Sequence, residues 1–96
     1  MNDATYNLIL SEDYKNKEMK FLKSHRSIAA TYSKTLSLLK SNPFHPSLRL
    51  HKLHGSLSEY HSVSINMTYR IIMEFLIEGN NIIPISVGTH KEYEKK

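Results

Sequence analysis

The segment 42–46 divides the chain into two halves that have different hydrophobic periods. It reads Asn-Pro-Phe-His-Pro, and its two prolines cannot continue a helix, while asparagine favours a turn. Before this segment, apolar residues recur at helical spacing. After it, they alternate with polar residues as strands require. The pattern therefore predicts helices in the first half and a sheet in the second.

Two helices are predicted before segment 42–46, preceded by a short strand over residues 6–10. Ser11 is a suitable N-cap for the first helix, which we expect to end near Ser24. Ser27 is the predicted cap of the second helix. The apolar positions of that helix follow the 3.6-residue period: Ile28, Tyr32, Leu36 and Leu39.

Four strands are predicted after segment 42–46. The first contains Leu48, Leu50 and Leu53 and ends in a turn at Gly55. In the second, three apolar residues alternate with three polar ones, which predicts one covered and one solvent-facing side. The covered positions are Val63, Ile65 and Met67, and the solvent-facing ones are Ser62, Ser64 and Asn66.

The third strand, residues 69–77, is apolar on much of both faces, so we expect it at the centre of the sheet. A hairpin turn over 78–81 leads to a last strand, 82–87, in which Pro84 predicts a sheet edge or a bulge. The predicted order is β-α-α-β-β-β-β within one domain of residues 1–96. This is an α+β fold, in which an N-terminal strand and a two-helix hairpin pack on a mostly antiparallel sheet of four to five strands.

The composition favours an anionic partner without choosing among candidates. The net charge is +4 and the isoelectric point is about 9.4, which suits nucleic acid, an acidic protein or an anionic surface. The absence of cysteine excludes disulfides, thiolate metal sites and cysteine nucleophiles. No apolar stretch is long enough to cross a membrane, and the N-terminus lacks a signal-peptide pattern. We therefore expect a cytoplasmic protein.

Three places near predicted strand ends carry groups able to bind or protonate a phosphodiester. The first holds His51 and His54, the second Arg70 and the third His90. Residues three apart on a strand point to opposite faces, so His51 and His54 make a poor metal chelate and we predict no metal. Taken singly, each is more simply a surface histidine. His90 follows a glycine and a threonine and titrates near neutrality, which suits proton transfer.

Arg70 lies on the strand that should be central, where a charge is costly without a partner. One interpretation is an internal ion pair with Glu74 on the same face of the strand. The other is a guanidinium held on a rigid strand to bind a phosphate with both arms.

Four motifs in order resemble the RelE/ParE superfamily of bacterial toxins, most closely its YafQ-like messenger-RNA interferases. They are Leu-His-Lys-Leu-His-Gly at 50–55, Ser-Val-Ser-Ile-Asn at 62–66, Tyr-Arg-Ile-Ile at 69–72 and Gly-Thr-His at 88–90. The resemblance covers essentially the whole chain and implies the same α+β fold.

The resemblance also implies a metal-independent ribonuclease that needs no cofactor. His51 matches an active-site histidine, Arg70 the transition-state arginine and His90 the proton donor, while the base is either His51 or His54. RNA phosphates would be bound by Arg49, Lys52, Lys91 and Tyr93. Tyr93 lies one position earlier than the aromatic residue that usually follows the tail histidine in the family. Ser64 and Thr68 occupy positions where YafQ carries further acidic and imidazole groups.

The implied partners are messenger RNA on the ribosome and a small acidic antitoxin. Two other functions remain open. One is a ParE-like, non-enzymatic inhibitor of DNA gyrase on the same fold, which would not need the His51, Arg70 and His90 set. The other is a plain RNA-binding module, which the shortage of stacking aromatics on the strands disfavours.

Overall fold

The computed structural model describes residues 6–55, 59–76 and 79–89. Within these ranges the chain forms five strands and two α-helices, joined in part by two short 3-10 helices. In chain order they are β1 (Asn7–Leu8), α1 (Glu12–Ser24), a 3-10 helix (Arg26–Ile28), α2 (Ala29–Ser41), a second 3-10 helix (Pro46–Leu48), β2 (His51–Lys52), β3 (His61–Ser64), β4 (Tyr69–Leu76) and β5 (Asn81–Thr89).

The five strands form one sheet in the order β1-β5-β4-β3-β2. β1 runs parallel to β5, and every other neighbouring pair is antiparallel. The predicted α+β class, with a mostly antiparallel sheet, is confirmed. β4 is the central strand, as its apolar residues on both faces predicted.

The first helix begins and ends as predicted, but the second does not begin at a serine cap. The Ser11 hydroxyl accepts the Tyr14 N–H at 3.0 Å, and α1 ends at Ser24. The prediction that Ser27 caps α2 is wrong. Ser27 lies inside a 3-10 turn, in which Ile28 N–H donates to the His25 carbonyl at 3.1 Å, and α2 starts directly after it without a side-chain cap.

The core lies between the helices and one face of the sheet. Its buried residues include Phe21, Tyr32, Leu39, Val63, Ile71, Met73 and Ile82. Each such side chain contributes about 1.5–3 kcal/mol on burial. Tyr14 also joins the two helices, because its hydroxyl lies 2.7 Å from that of Tyr32, which donates to Glu18 at 2.8 Å.

The first two strands after segment 42–46 are shorter than predicted. Leu48 ends a 3-10 helix, and β2 contains two residues only. β3 ends at Ser64, and Met67 lies in the following turn with 92% of its surface exposed, so its predicted place on the covered face is wrong. Ser62, predicted to face solvent, is fully buried.

Pro84 lies beside a bulge, which was one of its two predicted settings. The β4–β5 register shifts between Ile72 and Met73, whose partners are Ser86 and Pro84, and this leaves Ile85 as the extra residue. Lys17 of α1 donates to the Ile85 carbonyl at 3.1 Å. The helix is thereby tied to the bulge. No helix in the described part of the chain is long and apolar enough to cross a membrane.

Candidate active site

His51, Ser62, Ser64 and Arg70 share the face of the sheet that lies opposite the helices. His51 pairs with Ser62, and Ser64 pairs with Arg70. Directly paired residues on neighbouring strands project to the same side. The helix side is occupied by the intervening core residues, so these four polar residues form a separate layer on the other face.

Two serine hydroxyls orient the Arg70 guanidinium. Nη1 donates to Ser62 Oγ at 3.0 Å, and Nη2 lies 3.5 Å from Ser64 Oγ. Arg70 is only 8% exposed. Within the described residues an ion pair between Arg70 and Glu74 is not formed. Hydroxyl oxygens accept hydrogen bonds, so these two contacts help to fix the direction of the guanidinium.

Arg49 and Arg70 line the same cavity, which has a volume of about 260 Å³. Ser47, Ser64 and Asn66 supply further polar groups to its wall. Arg49 itself adopts the left-handed conformation (φ 51°), which is uncommon for a residue other than glycine. Two guanidinium groups on one small cavity make a suitable site for an anion such as a phosphate.

The His51 ring is held in one tautomer by the backbone of Arg49. Its Nδ1 lies 2.9 Å from the Arg49 carbonyl oxygen. A carbonyl can only accept, so Nδ1 carries the hydrogen, and in the neutral ring the lone pair is on Nε2. His51 is exposed on the edge strand β2. An exposed imidazole thus lies two residues after Arg49, on the face of the sheet that also carries Arg70.

The structure does not place Lys52 with these groups. Lys52 pairs with His61, and successive residues of a strand face opposite sides, so Lys52 belongs to the other face from His51. Burial lowers the pKa of the His61 imidazole, and the charges of Lys52 and His51 lower it further. His54 follows β2 and is exposed.

Three predicted site residues, His90, Lys91 and Tyr93, lie outside the described residues. β5 ends at Thr89, which pairs with Tyr69, and His90 is the next residue in the chain. Among the described residues, no group of three or more His, Asp or Glu side chains is placed to hold a metal ion.

Sequence reasoning did not identify Ser62 and Ser64 as partners of Arg70. The signal was the hairpin symmetry: the β3–β4 pairs are arranged evenly about position 67, so that Ser64 meets Arg70 and Ser62 meets Ile72. A turn centred on Met67 would have given this register. The predicted continuation of the strand through Met67 obscured it.

Comparison with known proteins gives structural matches only. No protein-family model matches the sequence, and no curated protein matches it. YafQ from Escherichia coli strain BL21(DE3) superposes with a TM-score of 0.71 at 13% identity, covering 91% of this chain and 96% of that one. YafQ in the E. coli DinJ–YafQ toxin–antitoxin complex gives 0.71 at 16% identity, with 93% and 97% covered.

A third similar structure is the RelBE2 toxin–antitoxin complex from Mycobacterium tuberculosis. It gives a TM-score of 0.69 at 17% identity, covering 91% of this chain and all of that one. Both chains in each comparison are covered almost completely, so the similarity concerns the whole architecture. The chain therefore has the fold that YafQ adopts.

Proposed function

We propose that this chain is the toxin of a type II toxin–antitoxin pair and cleaves messenger RNA on the ribosome. The observation that carries the proposal is the meeting of His51 and Arg70 at Ser62, next to the cavity that Arg49 shares. A base with a fixed tautomer and a pair of guanidinium groups are the equipment for attack on a phosphodiester. The fold similarity to YafQ supports the same conclusion.

The proposed reaction uses the ribose 2′-hydroxyl as the nucleophile. His51 Nε2 removes its proton, and the 2′-oxygen forms a bond to the adjacent phosphorus. Arg70 stabilises the charge that develops on the phosphoryl oxygens, a contribution of about 3 kcal/mol for one well-placed donor. The bond to the 5′-oxygen breaks, and His90 gives that oxygen a proton. The products are a 2′,3′-cyclic phosphate and a 5′-hydroxyl end.

The placement of the cations suggests one change in the roles that the resemblance implied. Arg49 lines the cavity with Arg70, whereas Lys52 pairs on the opposite face. We therefore assign the second phosphate contact to Arg49. Lys52 is left to bind the RNA outside this cavity. His54 remains the alternative base, but it lies beyond the strand that brings His51 opposite Ser62.

Substrate geometry is expected to come from the ribosome. His51 is exposed, and the cavity lined by Arg49 and Arg70 is small. Such a surface orients a flexible RNA weakly, and orientation by a larger assembly can provide a substantial part of a rate enhancement. Free RNA should therefore be cut poorly. The same message bound in a ribosome should be cut well.

The decisive experiment is primer extension on cellular messages after induction of the gene, paired with cleavage of ribosome-bound message by the purified chain. We expect new 5′ ends within coding regions and a rate that falls about 100- to 1,000-fold in Arg70→Ala. Arg70→Lys keeps the charge but not the two-armed geometry, so it should recover only a small part of the lost cleavage rate. An Arg70→Ala chain that cleaves at the normal rate would make Arg70 a structural residue.

The same induction separates the two functions that the fold allows. Translation should stop before DNA supercoiling changes. If supercoiling fails first and messages stay intact, the gyrase-inhibitor alternative replaces the ribonuclease. A melting curve of each purified variant is needed, because loss of a buried guanidinium can reduce activity by unfolding the chain.

The proposed partner is an acidic antitoxin. The chain carries a net charge of +4, and α1 exposes a row of lysines, Lys15, Lys17, Lys20 and Lys23. A flexible acidic segment that orders on binding would complement this surface. Co-expression with the adjacent reading frame should yield a complex that does not cleave RNA. Its ionic contacts should weaken as salt is raised.

A further inference from the structure

A second and larger cavity lies on the helix side of the sheet, away from Arg49 and Arg70. Its volume is about 460 Å³. Helix α1 contributes Lys17, Lys20 and Phe21, and His25 follows that helix directly. The sheet contributes Tyr69, at the start of β4, and Thr89, at the end of β5. The cavity is therefore bounded by a helix on one side and by strand ends on the other.

Three rings form a continuous group in the wall of this cavity. His25 stacks on Phe21 with centroids 4.4 Å apart and an interplanar angle of 24°. Tyr69 meets both rings edge to face, at 4.7 Å from His25 and 5.3 Å from Phe21. Phe21 is buried beneath the other two, whereas His25 and Tyr69 are each partly exposed. Buried Phe21 therefore supports the other two rings, and His25 and Tyr69 are accessible from the cavity.

The His25 ring is also oriented by a backbone hydrogen bond. Its Nδ1 lies 2.8 Å from the Phe21 carbonyl oxygen. The carbonyl can only accept, so Nδ1 is the protonated nitrogen, and Nε2 accepts a hydrogen bond in the neutral ring. A ring that is fixed by both stacking and a hydrogen bond loses little freedom when a planar ligand is placed against it.

Two lysines place positive charge beside the rings. Lys17 Nζ is held near the cavity by the Ile85 carbonyl at 3.1 Å and by Asp13 at 3.4 Å. Lys20, one turn further along α1, is exposed. The cavity thus combines partly exposed aromatic surface with cationic groups, which is the pairing that single-stranded nucleic acid requires for its bases and its phosphates.

We propose that this cavity binds one ribonucleotide, with its base against His25 and Tyr69 and its phosphate at Lys20 and Lys17. A volume of 460 Å³ lies within the range of small-molecule sites. An acidic peptide would use the lysines but would not need the fixed planar rings. The assignment of the ligand as RNA rests on the proposed function, whereas the position of the site does not.

Tyr69 and Arg70 connect the two cavities. They are consecutive residues of β4, about 3.8 Å apart at Cα, and their side chains face opposite sides of the sheet. An RNA chain that passes the end of β4 and β5 can therefore present one phosphate to Arg70 and a neighbouring nucleotide to Tyr69. A separate RNA, such as ribosomal RNA, offers the same chemistry.

The first test is an amide NMR titration of the full chain carrying Arg70→Ala with adenosine 5′-monophosphate. Signals of Lys20, His25, Tyr69 and Thr89 should shift. Loss of stacking on one ring should weaken binding about tenfold in His25→Ala, while His25→Phe should retain it. Lys20→Gln should also bind less well, and Lys34→Gln on α2 is its matched control. Shifts confined to other residues, or unchanged affinity in His25→Ala, would overturn the proposal.

The second test identifies the source of the nucleotide and separates this inference from the proposed ribonuclease. A six-nucleotide 2′-O-methyl RNA should lose affinity in His25→Ala if the same strand spans both cavities. If His25→Ala loses affinity for the mononucleotide but not for the six-nucleotide RNA, the site binds a separate RNA. If His25→Ala and Lys20→Gln still bind the nucleotide but no longer co-purify with the antitoxin, the cavity is a protein-docking surface and the proposal is overturned. Cleavage is scored independently by primer extension.

Discussion

Arg70 and Ser62 are joined by a buried hydrogen bond of 3.0 Å across two neighbouring strands. Ser62 is fully buried and pairs with His51 on its other side. Ser62 thus contacts the proposed phosphate ligand through its hydroxyl and pairs through its backbone with the proposed base. The arrangement makes Ser62 a positioning residue, whose effect on the reaction acts through the direction of the Arg70 guanidinium.

Ser62→Ala should lower kcat by about 10- to 100-fold, because a guanidinium displaced by a fraction of an ångström stabilises the transition state less well. Ser64→Ala should lower kcat less than Ser62→Ala does, since the contact of Ser64 with Arg70 is longer, at 3.5 Å. Single-turnover cleavage of ribosome-bound message gives the rates, at a temperature where both variants are folded. A Ser62→Ala chain that melts earlier but cuts normally would assign Ser62 to stability alone.

His51→Gln should remove the acid limb of the pH–rate profile, because the general base must be deprotonated to act. The hydrogen bond from Nδ1 to the Arg49 carbonyl leaves Nε2 for this purpose. His54→Gln is the control and should keep the acid limb. His90→Gln should instead flatten the alkaline limb, because the proton donor must be protonated. If His54→Gln loses the acid limb and His51→Gln keeps it, the two histidines exchange roles.

Arg49→Gly and Arg49→Ala should separate the backbone role of this residue from its charge. Both variants lose one guanidinium, so both should bind RNA more weakly and show a smaller dependence of affinity on salt. The left-handed backbone at Arg49 (φ 51°) disfavours alanine but not glycine. In urea unfolding, Arg49→Gly should therefore have a free energy of unfolding about 1 kcal/mol higher than Arg49→Ala. Equal stabilities would mean that the backbone there relaxes.

The fold was predictable from the sequence because its main signals are local. The Ser11 cap, the two prolines after α2 and the two apolar faces of β4 each lie within a few residues of the element that they specify. The Arg70 environment depends on the register between β3 and β4, which a short turn at 65–68 determines. Hydrophobic alternation continued through Met67, so it suggested a longer strand and left Ser62 on the solvent side.

The cavity between Arg49 and Arg70 could not be predicted for a related reason. Arg49 follows a 3-10 helix and Arg70 is the second residue of β4, so they belong to elements that are distant in sequence. Their proximity depends on how the loop before β2 packs on the β3–β4 turn. The ring group of Phe21, His25 and Tyr69 is likewise shared between a helix and a strand, and a search for aromatics on strands alone does not find it.

His61 should make the chain less stable in mild acid. Burial lowers the pKa of its imidazole from the ordinary 6.5, and the positive charges of Lys52 and His51 lower it further. The unfolded chain therefore binds a proton at this residue at a pH where the folded chain does not. The contribution of His61 to the free energy of unfolding is highest above pH 6.5, falls as the pH decreases below that value, and levels off below the pKa of His61 in the folded chain.

Urea unfolding at about pH 7.5 and about pH 5.5 measures this effect. The loss of stability between the two should be smaller in His61→Gln than in the unaltered chain. Lys52→Gln should reduce the loss in part, because it removes one of the two charges but leaves the burial unchanged. His45→Gln, at an exposed residue of the loop after α2, is the control and should keep the full loss. If His61→Gln and the unaltered chain lose the same stability, another group is responsible for the acid sensitivity.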